Sequence, residues 1–261
     1  AEVRLMAAAK VSAIVLAQNE ADQLQDCLNT LAWADERLVI DGFSVDGTPQ
    51  LDLAGARLIQ RHFTNFAEQR DAALRLASHD WVLFVDADER IPIALRDEIQ
   101  TRVGCEPVVG YRVPRHNRIL GRWMRGTGWA PDFQFRIMDR RRASYDFDRP
   151  VHELVVARGD VGQLNHPIEH FSYGTVREFR FRQRRYAELV AEGLFRTRTR
   201  RRRTAIILQP IREFWRRLVV LKGYRDGAIG VLLAALMAEH EWWVQRGLRA
   251  RWRGDDKVLS P

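Results

Sequence analysis

The sequence predicts an α/β fold, a mostly parallel central sheet with flanking helices, followed by a basic α-helical C-terminal region. Three observations carry this expectation. Short apolar runs alternate with stretches of helical periodicity through the first 90 residues, polar and acidic groups recur where the apolar runs end, and arginine concentrates beyond residue 175.

Val11 to Leu16 (VSAIVL) is a buried strand that runs out into Gln18, Asn19 and Glu20. Asp22 to Trp33 places Leu24, Cys27, Leu28 and Leu31 on one helical face, and Arg37 to Ile40 forms a second strand ending at Asp41. Strand, helix and strand within about 30 residues make a βαβ unit, which requires a parallel sheet. Gly42 to Thr48 (GFSVDGT) supplies two glycines, Asp46 and two hydroxyls, and suits a ligand-facing loop as well as a plain turn. A short helix over Pro49 to Ala54, a strand over Arg57 to Gln60 and a helix over Asn65 to Ala77 continue the alternation, with Phe66, Ala73, Leu74 and Ala77 facing the core. Trp81 to Val85 is the fourth strand.

Asp86 and Asp88 stand at the carboxyl end of that strand. In an extended segment, side chains two residues apart point the same way, so both carboxylates converge on one ligand. Such a pair suits a hard divalent cation, magnesium or manganese, which takes its remaining ligands from water and substrate phosphates. Alone, D-x-D reads equally well as an acidic turn. Its context is stronger, because ligands of open α/β sheets collect at the carboxyl ends of strands, where Asn19, Glu20, Asp41, Asp86 and Asp88 all fall.

The segments IVLAQNEADQLQDCL, WADERLVIDGFSVDGT, NFAEQRDAAL, DWVLFVDADERI, GYRVPRHNRILGRWMRGTGWAPDFQFRIM and PVHELV occur in this order. Together they resemble glycosyltransferase family 2, the inverting sugar-nucleotide transferases of Rossmann-like GT-A fold, and within it the bacterial lipopolysaccharide core β-1,4-glucosyltransferases. The resemblance implies a UDP-sugar donor held by Asn19, Glu20, Asp41, Asp46 and Asp86, and a divalent cation held by Asp88 with Asp86. It implies a general base at Asp132, 44 residues after Asp88 in the segment P-D-F-Q-F-R. Gln134 and Arg136 share the face of Asp132 if the segment is extended, and Arg136 is then aimed at diphosphate oxygens. The alternative is that Asp132 and Arg136 simply pair with each other. Glu153, after His152, is the second candidate base. Two positions depart from the family pattern: Phe43 brings a bulky aromatic into a loop of small residues, and Asp71 stands where an asparagine is usual.

A chain of 261 residues with 46% hydrophobic content can bury a full core. Cys27 and Cys105 form neither a zinc pattern nor a disulfide framework, which favours a reducing compartment, and the N-terminal stretch gives no signal-peptide pattern. Residues 1–175 hold 21 basic and 25 acidic side chains, net −4, whereas residues 176–261 hold 21 and 9, net +12. The asymmetry predicts a boundary near Tyr173 to Val176, with a catalytic domain over 1–175 and a helical, membrane-associating region over 176–261. Arg196 to Arg203 carries six arginines in eight positions. Nearby, Phe214, Trp215, Leu218, Val219 and Leu221 alternate with Arg212, Arg216, Arg217 and Lys222, the mixture of an interfacial helix. The apolar stretch Ala228 to Ala238 is 11 residues, short of the roughly 20 that span a bilayer. It predicts a monotopic contact or a re-entrant hairpin, or else helices packed on the catalytic domain.

These features point to a cytoplasmic enzyme, peripheral on the inner membrane, acting on a lipid-anchored saccharide. A nucleotidyltransferase is the weaker alternative, since no glycine-rich phosphate loop follows Leu16. An arginine-rich nucleic-acid binder is the non-enzyme alternative, and no nucleic acid is expected.

Overall fold

The computed structural model describes residues 9–53, 55–62, 66–145, 155–200, 202 and 204–258. The chain divides into two compact units, one comprising residues up to His116 and Asp132–His170, the other Asn117–Pro131 and Phe171 onward. The second unit therefore includes a segment that the charge asymmetry leaves in the first.

In chain order the first elements are β1 (Val11–Ala17), α1 (Ala21–Thr30), β2 (Glu36–Asp41), a 3-10 turn at Thr48–Gln50, β3 (Arg57–Gln60), α2 (Phe66–Leu76), β4 (Trp81–Asp86), β5 (Glu89–Arg90) and α3 (Ile93–Arg102). There follow β6 (Gly110–Ile119), β7 (Arg122–Trp123), β8 (Phe133–Asp139), β9 (Ala143–Tyr145), β10 (Val155–Ala157), β11 (Val161–Gln163) and β12 (Ile168–Tyr173). The main sheet runs β3-β2-β1-β4-β8-β6-β12-β5, with β7 and β11 paired to β6. Its first four strands are parallel, while β8 is antiparallel to both β4 and β6. The N-terminal βαβ pattern thus builds the parallel half, and antiparallel strands extend it.

Burial explains the apolar runs. Ala13, Ile14, Val15, Leu38, Val39, Ile40, Val82, Leu83 and Val85 are fully buried, because the central strands β1 and β4 are covered on both faces. On one face lie Leu24, Cys27 and Leu28 of α1 with Leu95 and Ile99 of α3. On the other lie Ala67, Ala73 and Leu74 of α2. The helix expected over Pro49 to Ala54 is instead the single 3-10 turn. Both cysteines are free, Cys27 buried and Cys105 exposed.

The second unit contains α4 (Val176–Arg196), α5 (Ala205–Trp215), a π-helical segment Arg216–Val220, a 3-10 turn Gly223–Asp226 and α6 (Gly227–Val258). Thr175 caps α4 by accepting from the Glu178 amide at 3.1 Å, and the Glu178 carboxylate returns to the Gly174 amide at 3.0 Å, a variant of the capping box. Leu233, Leu236 and Met237 of α6 form a core with Phe179, Ile119 and Met124. The segment 117–131 is fastened here by Asp226, whose carboxylate accepts from the Arg125 amide (2.6 Å) and the Thr127 hydroxyl (2.8 Å). Arg217 donates to the Thr127 carbonyl at 2.7 Å and lies 4.9 Å over the Trp129 ring.

Candidate active site

The first part of the site is the loop after β2. Asn19 adopts φ 58°, a left-handed conformation that asparagine tolerates, and spends its polar groups on this loop. Its amide donates to Ser44 Oγ at 2.7 Å and its Oδ1 accepts from the Val45 amide at 2.9 Å. Asp46 accepts from the Ala21 amide (3.0 Å), at the first turn of α1, and from the Thr48 amide (3.0 Å) and hydroxyl. The Thr48 hydroxyl and the Ala21 amide hold its carboxyl below the usual carboxylate value. Residues 42–48 are thus a braced loop, and Asn19 and Asp46, expected at the nucleotide, bond within it. The physical reason is that short carboxylates and amides satisfy nearby backbone donors first.

Glu20 opens α1, its carbonyl accepting from Gln23 and Leu24 and its amide donating to Thr48 Oγ1 at 3.1 Å. Asp41 is fully buried at the end of β2, where it accepts from the Ser44 amide and hydroxyl and from Gln60 Nε2 at 3.1 Å. Phe43 also has positive φ, 60°, and its half-exposed ring stacks on His62 with centroids 4.1 Å apart.

The second part is the turn between β4 and β5. Residues 87–88 turn rather than continue the strand, so the two carboxylates do not share one extended face as the spacing predicts, and they take different partners. Asp86 faces arginines, accepting from Arg136 on both oxygens and from Arg70 at 3.2 Å. Burial raises the Asp86 carboxyl pKa, but Arg136 and Arg70 outweigh it and hold the group well below the usual range. Asp88 faces His170, whose Nε2 is 3.3 Å away. The antiparallel pairing of β12 with β5, His170 opposite Glu89, delivers that imidazole.

Glu89 closes the turn by accepting from the Asp86 amide at 3.0 Å, and it is wholly buried. Burial pushes its carboxyl up, against the pull of Arg136 at 2.7 Å and Arg115 at 3.5 Å. Arg136, only 3% exposed, bonds to Asp86 and Glu89 and not to Asp132, because the fully buried Glu89 carboxylate requires a buried cation.

Asp132 instead accepts from Arg115 Nε at 2.8 Å and from Gln134 Nε2 at 2.6 Å. Arg70, Asp86, Arg136, Glu89, Arg115, Asp132 and Gln134 therefore form one continuous chain of charge-assisted contacts. It links the D-x-D turn to the start of β8. Glu89, Arg115 and His170 escaped the sequence reading, although Glu89 lies directly after Asp88. Asp71 pairs with Arg75 one helical turn on, and Glu153 and His152 lie outside the described residues.

Among the described residues no group of three or more His, Cys, Asp and Glu side chains forms a cation cage. Asp88 and His170 offer one carboxylate and one imidazole. That set fits a divalent cation that draws its other ligands from diphosphate and water.

The D-x-D turn at the carboxyl end of β4 is thus joined through Arg136, Glu89 and Arg115 to Asp132, just before β8, on a sheet of GT-A architecture. The sequence model of the family described as Glycosyl transferase family 2 matches residues 12–153, more than half of the chain. The protein belongs to glycosyltransferase family 2. It is 27% identical over 268 aligned residues to the lipopolysaccharide core biosynthesis glycosyltransferase LpsC of Rhizobium meliloti (strain 1021), covering 95% of this chain and 97% of that one. A TPR repeat-containing protein of Synechococcus elongatus is 29% identical over 202 residues, 72% of this chain and 48% of that one. The crystal structure of S. aureus TarS 1–349 in complex with UDP-GlcNAc superposes with TM-score 0.48 at 15% identity, covering 94% of this chain and 92% of that one.

Proposed function

We propose that this glycosyltransferase moves a sugar, glucose by its resemblance, from a UDP-sugar to a lipid-anchored saccharide of the lipopolysaccharide core, inverting the anomeric centre. The observation that carries the proposal is the ion-pair chain from Asp86 to Asp132. It fixes an acidic side chain in register with the edge that receives a nucleotide. The similarity to LpsC over nearly the whole of both chains supports the acceptor class.

Asp132 serves as the base that takes the acceptor hydroxyl proton. Arg115 and Gln134 fix its orientation, and an attack geometry that tolerates little error gains from a base that does not wander. Asp41 and Glu20 hold the nucleoside as acceptors for its N–H and O–H groups. Asp86 is committed to arginines, so the cation ligands are Asp88 and His170. A magnesium or manganese ion there supplies neutralisation of the charge that builds on the departing diphosphate. Arg136 and Arg70 organise the turn that presents Asp88.

The reading places the enzyme at the cytoplasmic face of the inner membrane, where such an acceptor is anchored. Among the described residues no helix is long and apolar enough to cross a membrane.

Calorimetric titration of a panel of UDP-sugars, with and without manganese, tests the proposal. One UDP-sugar should bind the wild type in a metal-dependent way. Asp88→Asn should lose that dependence, and Asp132→Asn should keep binding while transfer falls by about 100-fold or more. Normal transfer by Asp132→Asn would move the base elsewhere, with Glu153 the next residue to replace.

A further inference from the structure

The apolar run at Ala228 to Ala238 looks in sequence like the membrane contact of this chain, yet Leu233, Ala234, Leu236 and Met237 are buried in the core of the second unit. Val231 and Leu232 of that run remain exposed, but the longer exposed apolar row lies one element earlier. Along α5 and the π-helical segment after it, Ile207, Leu208, Ile211, Trp215, Val219 and Val220 are each between 52 and 70% exposed. Positions 207, 211, 215 and 219 are spaced by four, the spacing of one helical face. A continuous row of large apolar side chains left in water is unusual for a soluble surface and marks a contact with something else.

The charges around the row identify what covers it. Between Thr197 and Arg225 the chain has ten Arg and Lys residues and one acidic residue, Glu213. The Glu213 carboxylate is taken up by Arg216 and Arg217, each at 2.7 Å. Arg202, Arg212 and Arg216 are exposed on the same stretch. An apolar row rimmed by guanidinium groups, with an indole within it, matches the boundary between acyl chains and anionic headgroups: aliphatic and aromatic groups enter the boundary while arginines reach phosphates. A protein partner with an acidic rim would need a groove or complementary ridge, whereas a single convex helix face suits a deformable lipid surface.

We infer that α5 and the Arg216–Val220 segment form an interfacial membrane-docking face that lies on, and does not cross, an anionic lipid bilayer. The inference rests on the proposed lipid-anchored acceptor and deepens it by naming the surface that brings the enzyme to its substrate. Pro210 inside α5 and the π-helical turn after Trp215 both interrupt regular hydrogen bonding, so the segment can bend along a curved surface.

The test is co-sedimentation of the full chain with vesicles of phosphatidylcholine alone or of phosphatidylcholine mixed with phosphatidylglycerol. Wild type should sediment with the anionic vesicles only. Ile211→Glu/Trp215→Glu should weaken this by about tenfold or more, and Arg202→Glu/Arg212→Glu should weaken it comparably while leaving the apolar row intact. These exposed positions lie outside the proposed donor site, so the calorimetric response to UDP-sugar should be unchanged in both variants. Vesicle binding unchanged in both variants would overturn the docking face. So would a wild-type dimer that the apolar variant makes monomeric without any vesicle binding, which would assign the row to a second copy. No UDP-sugar response in the wild type with vesicle binding retained would instead remove the proposed UDP-sugar donor and leave the docking face standing.

Discussion

Glu89 is the residue on which the site turns, although D-x-D draws the eye to its neighbours. A carboxylate without solvent exposure is costly unless a cation and hydrogen bonds match it, and Arg136 and Arg115 provide the match. Removing one partner of such a pair is far worse than removing both. Arg136→Met should therefore lower unfolding stability by about 3 kcal/mol or more, read by urea denaturation, because Glu89 and Asp86 both lose their principal cation. A loss below about 1 kcal/mol would mean that water reaches the pair and that the chain of contacts is not structural. At this scale the sequence pointed to Asp86, Asp88 and Asp132, since their motifs are local. It was silent on His170 and Arg115, which stand 82 residues from Asp88 and 17 from Asp132 and meet them only through strand pairing.

Among the elements, α3 is tied to the turn before β12 by a single side chain. Glu98 accepts from the Asn165 and His166 amides at 2.9 to 3.1 Å and from Arg102 at 3.0 Å. Burial raises its pKa, but the His166 and Asn165 amides dominate and bring it down to about 2. Because the folded value lies below the ordinary carboxylate value, the stabilisation is complete above that value and fades as pH falls towards 2. Glu98→Gln should consequently be less stable than wild type at neutral pH and converge with it on acidification, measured as melting temperature against pH. Parallel curves would show that the carboxylate charge is not what holds the turn. In the second unit, Gly230 lets α6 meet the 3-10 turn: a Cβ there would stand 1.9 Å from the Gly223 carbonyl oxygen. Backbone cannot retreat as a side-chain tip does, so Gly230→Ala should cost about 1–3 kcal/mol in chemical denaturation. An unchanged midpoint would show that α6 shifts freely.

For the whole molecule, charge separates the chain into a mildly acidic part up to residue 175 and a strongly basic part beyond it. That division follows from composition and was visible without coordinates, as was the alternation that builds the parallel strands, because a strand buried on both faces must be apolar throughout. The placement of Asn117–Pro131 in the second unit was not visible. Its fasteners, Asp226 and Arg217, lie about 100 residues further along, and nothing in a loop's own composition records such a partner. Likewise the apolar run of α6 and the mixed run of α5 both read as membrane-facing, and only packing distinguished them by burying the first and exposing the second. The sequence by itself determined the class of fold and the family, since these depend on periodicity and short motifs. The tertiary structure alone decided which carboxylates are spent on bracing the site and which apolar face meets solvent. The physical reason is that a buried charge or an apolar surface takes its role from whatever neighbour the fold brings to it, however distant in the chain.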